Sequence, residues 1–169
     1  VGYINTSGGI NGWLSELAFA PVDFNEGAMQ DEWSGDFGVG CKYFSQDAVI
    51  KLAEYGGFKF EDGLTPAQKL KVVQALMDKD DALAKQIYED IGVYLAHTIP
   101  FYAKFYDIKH MLLLGRVMGG KGGDIILATC KETLAAEYPE FAGLDIGLPD
   151  ETNRRVGQSI AAASLPEIK

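Results

Sequence analysis

Glycines at positions 115, 119, 120, 122 and 123 stand close together in the stretch GRVMGGKGGD, with Arg116 and Lys121 among them. Residue types in this pattern suit an anion. Backbone N–H groups can point at a phosphate, the missing Cβ atoms let it approach, and a helix N-terminus adds a favourable dipole. The apolar run HMLLL over residues 110–114 precedes the glycines, and an apolar, helix-like segment follows from Asp124. Such a short apolar run reads as a strand buried on both faces. Strand, glycine turn and helix start would together make a pocket for phosphate or nucleotide. Gly115, Gly120 and Lys121 also satisfy the P-loop pattern G-x-x-x-x-G-K. Gly122, however, stands where a magnesium-holding Ser or Thr belongs, so that motif fails at its chemically essential end. A turn that merely needs flexible backbone is the plain alternative.

Other residues able to do chemistry are sparse. Cys41 and Cys130 lie far apart, which suits a reducing cytoplasm and offers no C-x-x-C metal pair. His97 falls on a helical stretch near Tyr94 and Phe101, and reads as a packed or surface histidine. His110 opens the buried strand and reads as structural. Two histidines with no nearby thiol predict no metal site. Asp31, Glu32 and Asp36 surround Trp33, where they could hold a cation or a sugar, or simply form an acidic surface loop. Cys130 shares a helix face with Ile126 and Leu134, where a cysteine behaves as a small hydrophobe.

The elements that position these residues follow from composition and pattern. With 169 residues, 47% of them hydrophobic, the chain can bury the core of one domain, or of one lobe of a larger protein. A formal charge of −9 argues against nucleic acid or an anionic membrane as partner. No apolar run approaches the roughly 18 residues that span a bilayer, and no signal peptide is visible. The chain begins at Val1, inside what reads as a strand, so an excised domain or trimmed chain is expected. Residues 2–5 and 10–14 flank the turn Thr6-Ser7-Gly8-Gly9 and predict a β-hairpin. Residues 16–23 continue as an extended apolar segment, with Pro21 marking an edge. Residues 24–40 have no helical period and read as a long loop.

Helices follow. Ser45 caps one that ends at Gly56-Gly57. Thr65-Pro66-Ala67-Gln68 starts the next as a cap, N1 proline and N3 glutamine. Asp80 is expected to cap the longest, with Pro100 kinking it before Phe105. After the glycine turn come a helix over residues 124–137, a short strand over 144–148, and a last helix capped by Asp150. Strands first, then strand–helix alternation, give an α/β layout with helices covering a sheet.

Three stretches taken in order resemble the C-terminal lobe of the ROK family, bacterial sugar kinases and related repressors with an actin-like (RNase H-like) ATPase fold. GYINTSGGINGWLSELAFAPVD resembles the family's hairpin and its G-E-x-G-H segment. GCKYFSQDAVIKLA resembles the end of its cysteine cluster and the helix after it. DDALAKQIYEDIGVYLAHTIPFYAKFYDIKHMLLLGRVMGGKGGDIIL resembles its long helix, buried strand and glycine turn. The resemblance implies one domain over residues 1–169, a mixed sheet flanked by helices, with the N-terminal lobe and its catalytic Asp outside this chain. It places Glu16 on a sugar-binding glutamate. Phe19 falls where the family has a histidine that touches both sugar and structural zinc; a ring there can stack on a sugar but cannot ligate metal. Cys41 lacks its companion cysteines, and Lys42 and Tyr43 follow where a glutamate is expected, so no zinc is implied.

Gly115, Arg116, Gly119, Gly120 and Lys121 fall on the turn that would line adenine and phosphates. The implied function is the nucleotide- and sugar-binding lobe of a sugar kinase using ATP and Mg2+, with no catalytic residue of its own. A non-catalytic, sugar-sensing regulator of the same family is the alternative. Implied partners are a monosaccharide, ATP, the N-terminal lobe and a second copy in a homodimer, with no nucleic acid or membrane bound through this domain. The implied location is the cytoplasm.

Overall fold

The computed structural model describes residues 3–4, 10–11 and 17–148. Strands β1 (Tyr3–Ile4) and β2 (Ile10–Asn11) pair antiparallel, as the hairpin pattern predicts. The extended segment expected over residues 16–23 is instead broken by a 3-10 turn at Leu17–Phe19. Beyond it, Pro21 makes an isolated antiparallel bridge to Val39. The long loop that follows closes on itself through a second bridge, from Gln30 to Phe37.

Local sequence fixes the helix ends closely. In helix α1 (Gln46–Tyr55), the Ser45 hydroxyl accepts the Asp47 N–H at 3.2 Å. Helix α2 (Pro66–Met77) carries the full capping box: Thr65 accepts from the Gln68 N–H, and Gln68 Oε1 accepts from the Thr65 N–H at 2.9 Å. Helix α3 (Ala82–Tyr102) is capped by Asp81 rather than Asp80; the Asp81 carboxylate accepts the Ala84 N–H at 3.0 Å. Asp80 is needed one step earlier, at φ 57°, where it turns the chain between the two helices. Pro100 lies inside α3, which runs past it to Tyr102 and ends short of Phe105.

Strand β3 (His110–Leu112) and strand β4 (Asp145–Gly147) pair in parallel, His110 opposite Asp145 and Leu112 opposite Gly147. Helix α4 (Lys121–Glu137) joins them as a β-α-β unit. It starts three residues before the expected Asp124, because Gly122 and Gly123 are already helical. The strand is not buried on both faces as its apolar run suggests. Met111 and Leu113 pack on the core, while Leu112 and Leu114 remain 58% and 59% exposed. A run of leucines with no polar alternation cannot show which face is covered.

The core forms where α3 lies along α4. Ile87, Ile91 and Leu95 from α3 meet Ile126, Cys130 and Leu134 from α4, with Val49, Leu70, Val73 and Ile146 closing the sides. Cys130 is fully buried among them, as its helix position predicts. The two helices approach so closely at Gly92 that a Cβ there would stand 2.8 Å from the Thr129 Cβ. The protein therefore mixes helices with a small parallel strand pair. Among the described residues, the strands make two separate two-stranded sheets rather than one mixed sheet, and no helix is long and apolar enough to cross a membrane. Asp150 and the helix expected after it lie outside the described residues.

Candidate functional site

The glycine turn has the strand–turn–helix arrangement that the sequence predicts, and four of its five glycines have a structural reason. Gly115 and Gly120 have φ of 122° and 66°, backbone that a side chain strains. Gly122 packs under Tyr88: a Cβ at 122 would come within 2.5 Å of the tyrosine ring. A Cβ at Gly123 would lie 2.1 Å from the Met118 carbonyl oxygen. The missing hydroxyl of the P-loop pattern is thus a packing requirement, since a Ser or Thr at 122 would collide with Tyr88.

Gly120 is the N-cap of α4 and makes no side-chain cap. The first N–H groups of the helix, from Lys121 and Gly122, have no intrahelical acceptor either. They stand at a cavity of about 250 Å3 lined by Gly119, Gly120, Lys121 and Gly122 on one side and by Gln74, Met77, Asp78 and Tyr88 on the other. Tyr88 is fully buried, and its hydroxyl has no hydrogen-bond partner among the described residues. Burial, and next Asp78, push its ionisation up to about 12, so it stays a neutral donor. Lys121 Nζ binds the Asp80 carboxylate at 2.8 Å and the Asp78 carbonyl at 3.4 Å. Attraction for an anion therefore comes from the helix terminus and not from a free ammonium. Gln74 ties α2 to the turn by donating to the Arg116 carbonyl at 3.0 Å. Pockets for drug-sized ligands begin near 300 Å3, so this cavity has room for one end of a nucleotide, a phosphate or a single ring, and not for the whole.

The acidic loop has a different logic. Asp31, Glu32 and Asp47 converge on the Lys42 ammonium, with Asp47 at 2.9 Å, Asp31 at 3.8 Å and Glu32 in closest contact. Lys42 is only 6% exposed. Burial alone would lower its pKa, but the hydrogen bonds to Glu32 and Asp47 outweigh it and raise the group well above its ordinary value. Asp31 also accepts the Ser34 N–H at 2.8 Å and the Cys41 thiol at 3.6 Å. The Ser34 N–H above all holds Asp31 below its usual range, while burial and then Asp31 itself push the Cys41 thiol up. Among the described residues, no group of three or more His, Cys, Asp or Glu is placed to hold a metal ion. The cation that sequence reasoning offered to Asp31 and Glu32 is the chain's own lysine. Lys42 stands ten residues from the Asp31-Glu32 pair, and nothing in the sequence pattern shows that they meet. Asp36 makes no such contact.

Of the two residues assigned to a sugar, Glu16 lies outside the described residues. Phe19 is half-buried and packs against Trp33, ring centroids 5.5 Å apart, with Trp33 itself 84% exposed. Gly119, Gly120 and Lys121 come together at the cavity, whereas Gly115 and Arg116 are not among the residues that line it. His97 is exposed and meets the Tyr138 hydroxyl at 2.8 Å. His110, expected inside a buried strand, is exposed and binds Asp145 across the strand pair at 2.8 Å. Comparison with known proteins finds no matching family model, no similar curated protein and no similar solved structure.

Proposed function

We propose that the chain is the C-terminal lobe of a ROK-like sugar kinase with an actin-like fold, and that its glycine turn holds the nucleotide. The observation that carries this reading is the N-terminus of α4, which has no side-chain cap and opens, after β3 and the glycine turn, onto a cavity with glycines along one side. Gly119, Gly120 and the Lys121 and Gly122 N–H groups would take a phosphate or ring edge of ATP. Gly115 and Arg116 would line its approach. Bound Mg2+ would neutralise phosphate charge; this chain would supply positioning alone, and transfer would need the base of the other lobe. Glu16 would orient a monosaccharide hydroxyl, with Phe19 offering a ring for the sugar face.

A non-catalytic sugar sensor of the same family is the second reading. Its support is the loop at Cys41, whose carboxylates converge on the Lys42 ammonium, and the aromatic Phe19 beside it. Isothermal titration of the intact protein with ATP–magnesium, then with hexoses and amino sugars, separates the two. Nucleotide binding strengthened by a sugar supports the kinase. Sugar binding without nucleotide supports the sensor, and silence on both overturns each.

A further inference from the structure

A cavity larger than that at the glycine turn lies elsewhere in the protein. It lies between residues 22–25 and the outer face of α3, and has a volume of about 440 Å3, within the usual span of small-ligand sites. Its walls are mostly aromatic. Phe24 and Phe101 meet edge to face at 6.5 Å, and Tyr43 and Tyr94 at 6.4 Å. Among the described residues, Asp23 is the only carboxylate that lines it, and no lysine or arginine does.

The hydrogen bonds already made there decide what it can take. Tyr43 donates its hydroxyl to Asp23, Thr98 donates to the Tyr94 carbonyl at 2.7 Å, and His97 Nδ1 is engaged by Tyr138. Asn25 spends its backbone N–H and one amide N–H on Asp23, at 2.9 and 2.6 Å. Donors are largely consumed, which disfavours an anion or a ligand that must accept hydrogen bonds. What remains is a carboxylate with about one of its four acceptor positions open, and the faces of several rings. The Tyr43 hydroxyl, and then the Asn25 N–H, hold Asp23 below the usual carboxylate range, so it is charged at neutral pH.

We infer that this cavity binds a small organic cation, a substituted ammonium compound seated against Phe24, Tyr94 and Phe101 with its charge toward Asp23. Aromatic faces and a fixed negative charge recognise such groups by cation–π and ionic attraction together. The site is separate from the glycine turn and stands whether or not that turn binds nucleotide.

The test is a titration of the protein with choline chloride, set against 3,3-dimethylbutan-1-ol, its uncharged carbon isostere. Choline should bind saturably, and the isostere roughly tenfold more weakly or not at all. Asp23→Asn should weaken choline by about the same factor, with the near-ultraviolet circular dichroism unchanged. Tyr94→Leu, on an exposed helix face, should also weaken choline and serves if Asp23→Asn fails to fold. Equal binding of the two probes, absence of choline binding, or choline affinity indifferent to both substitutions would overturn the proposal.

Discussion

The loop over residues 24–42 and the turn over residues 115–123 are both long, glycine-bearing and irregular, yet they are held in opposite ways. In the first, side-chain charge does the holding: three carboxylates close on the ammonium of Lys42, and Asp31 also gathers the Ser34 N–H and the Cys41 thiol. In the second, the absence of side chains does it: Gly122 fits beneath Tyr88, Gly123 beneath the Met118 carbonyl, and Gly120 adopts a φ of 66°. A region fixed by charge should respond to pH and salt. One fixed by close backbone packing should respond to a single methyl group.

The largest expected effect comes from adding atoms to the turn. Gly122→Ser completes the P-loop pattern, yet it should lower stability by about 3 kcal/mol in urea unfolding, because the new Cβ overlaps the Tyr88 ring. Adding Tyr88→Ala in the same chain should recover part of that loss, a coupling that a double-mutant cycle reads directly. If Gly122→Ser is neutral, close packing is not what holds the turn. Gly120→Ala, which meets no neighbour but must adopt positive φ, should cost about 1 kcal/mol.

Removing charge from the loop should act locally. Lys42→Met leaves Asp31, Glu32 and Asp47 facing one another, and should speed amide exchange over residues 31–42 roughly tenfold while sparing α4. Uniform loss of protection over both regions would erase the distinction.

The smallest effect is that of acid on the native protein. Asp23, Asp31 and Glu32 have folded pKa values below their ordinary ones, held there by Tyr43, by the Ser34 N–H and by Lys42 respectively. Groups depressed in this way stabilise fully above the unfolded carboxylate pKa of about 4, and lose that contribution as pH falls through the folded values. Protection factors in the loop, taken relative to intrinsic exchange at each pH, should therefore fall below about pH 4 while those of the glycine turn stay unchanged. An equal response of the two regions would contradict the comparison.

What the sequence conveyed follows the same division. Caps at Ser45 and Thr65, the stop at Gly56-Gly57, the strand at residues 145–147 and the buried face of Cys130 were legible because each depends on neighbours within a few residues. Asp80 and Asp81 were confused because both are good caps, and only the left-handed turn separates them. Leu112 and Leu114 misled because an unbroken apolar run does not say which face is covered. The Tyr88–Gly122 contact and the Lys42 cluster lay beyond reach, since both join residues that only the folded chain brings together. The cavity at Asp23 was hidden for that reason as well: its rings come from residues 24, 43, 94 and 101, which share no motif.

Whether the glycine turn holds nucleotide can be read from amide exchange of the protein with and without ATP–magnesium. Exchange should slow at the N–H groups of residues 119–122, at the start of α4 that has no side-chain cap. Gly120→Val, which strains the turn without touching the core, should abolish that protection. Protection that appears elsewhere and leaves these amides unchanged, or no change at saturating nucleotide, would contradict it.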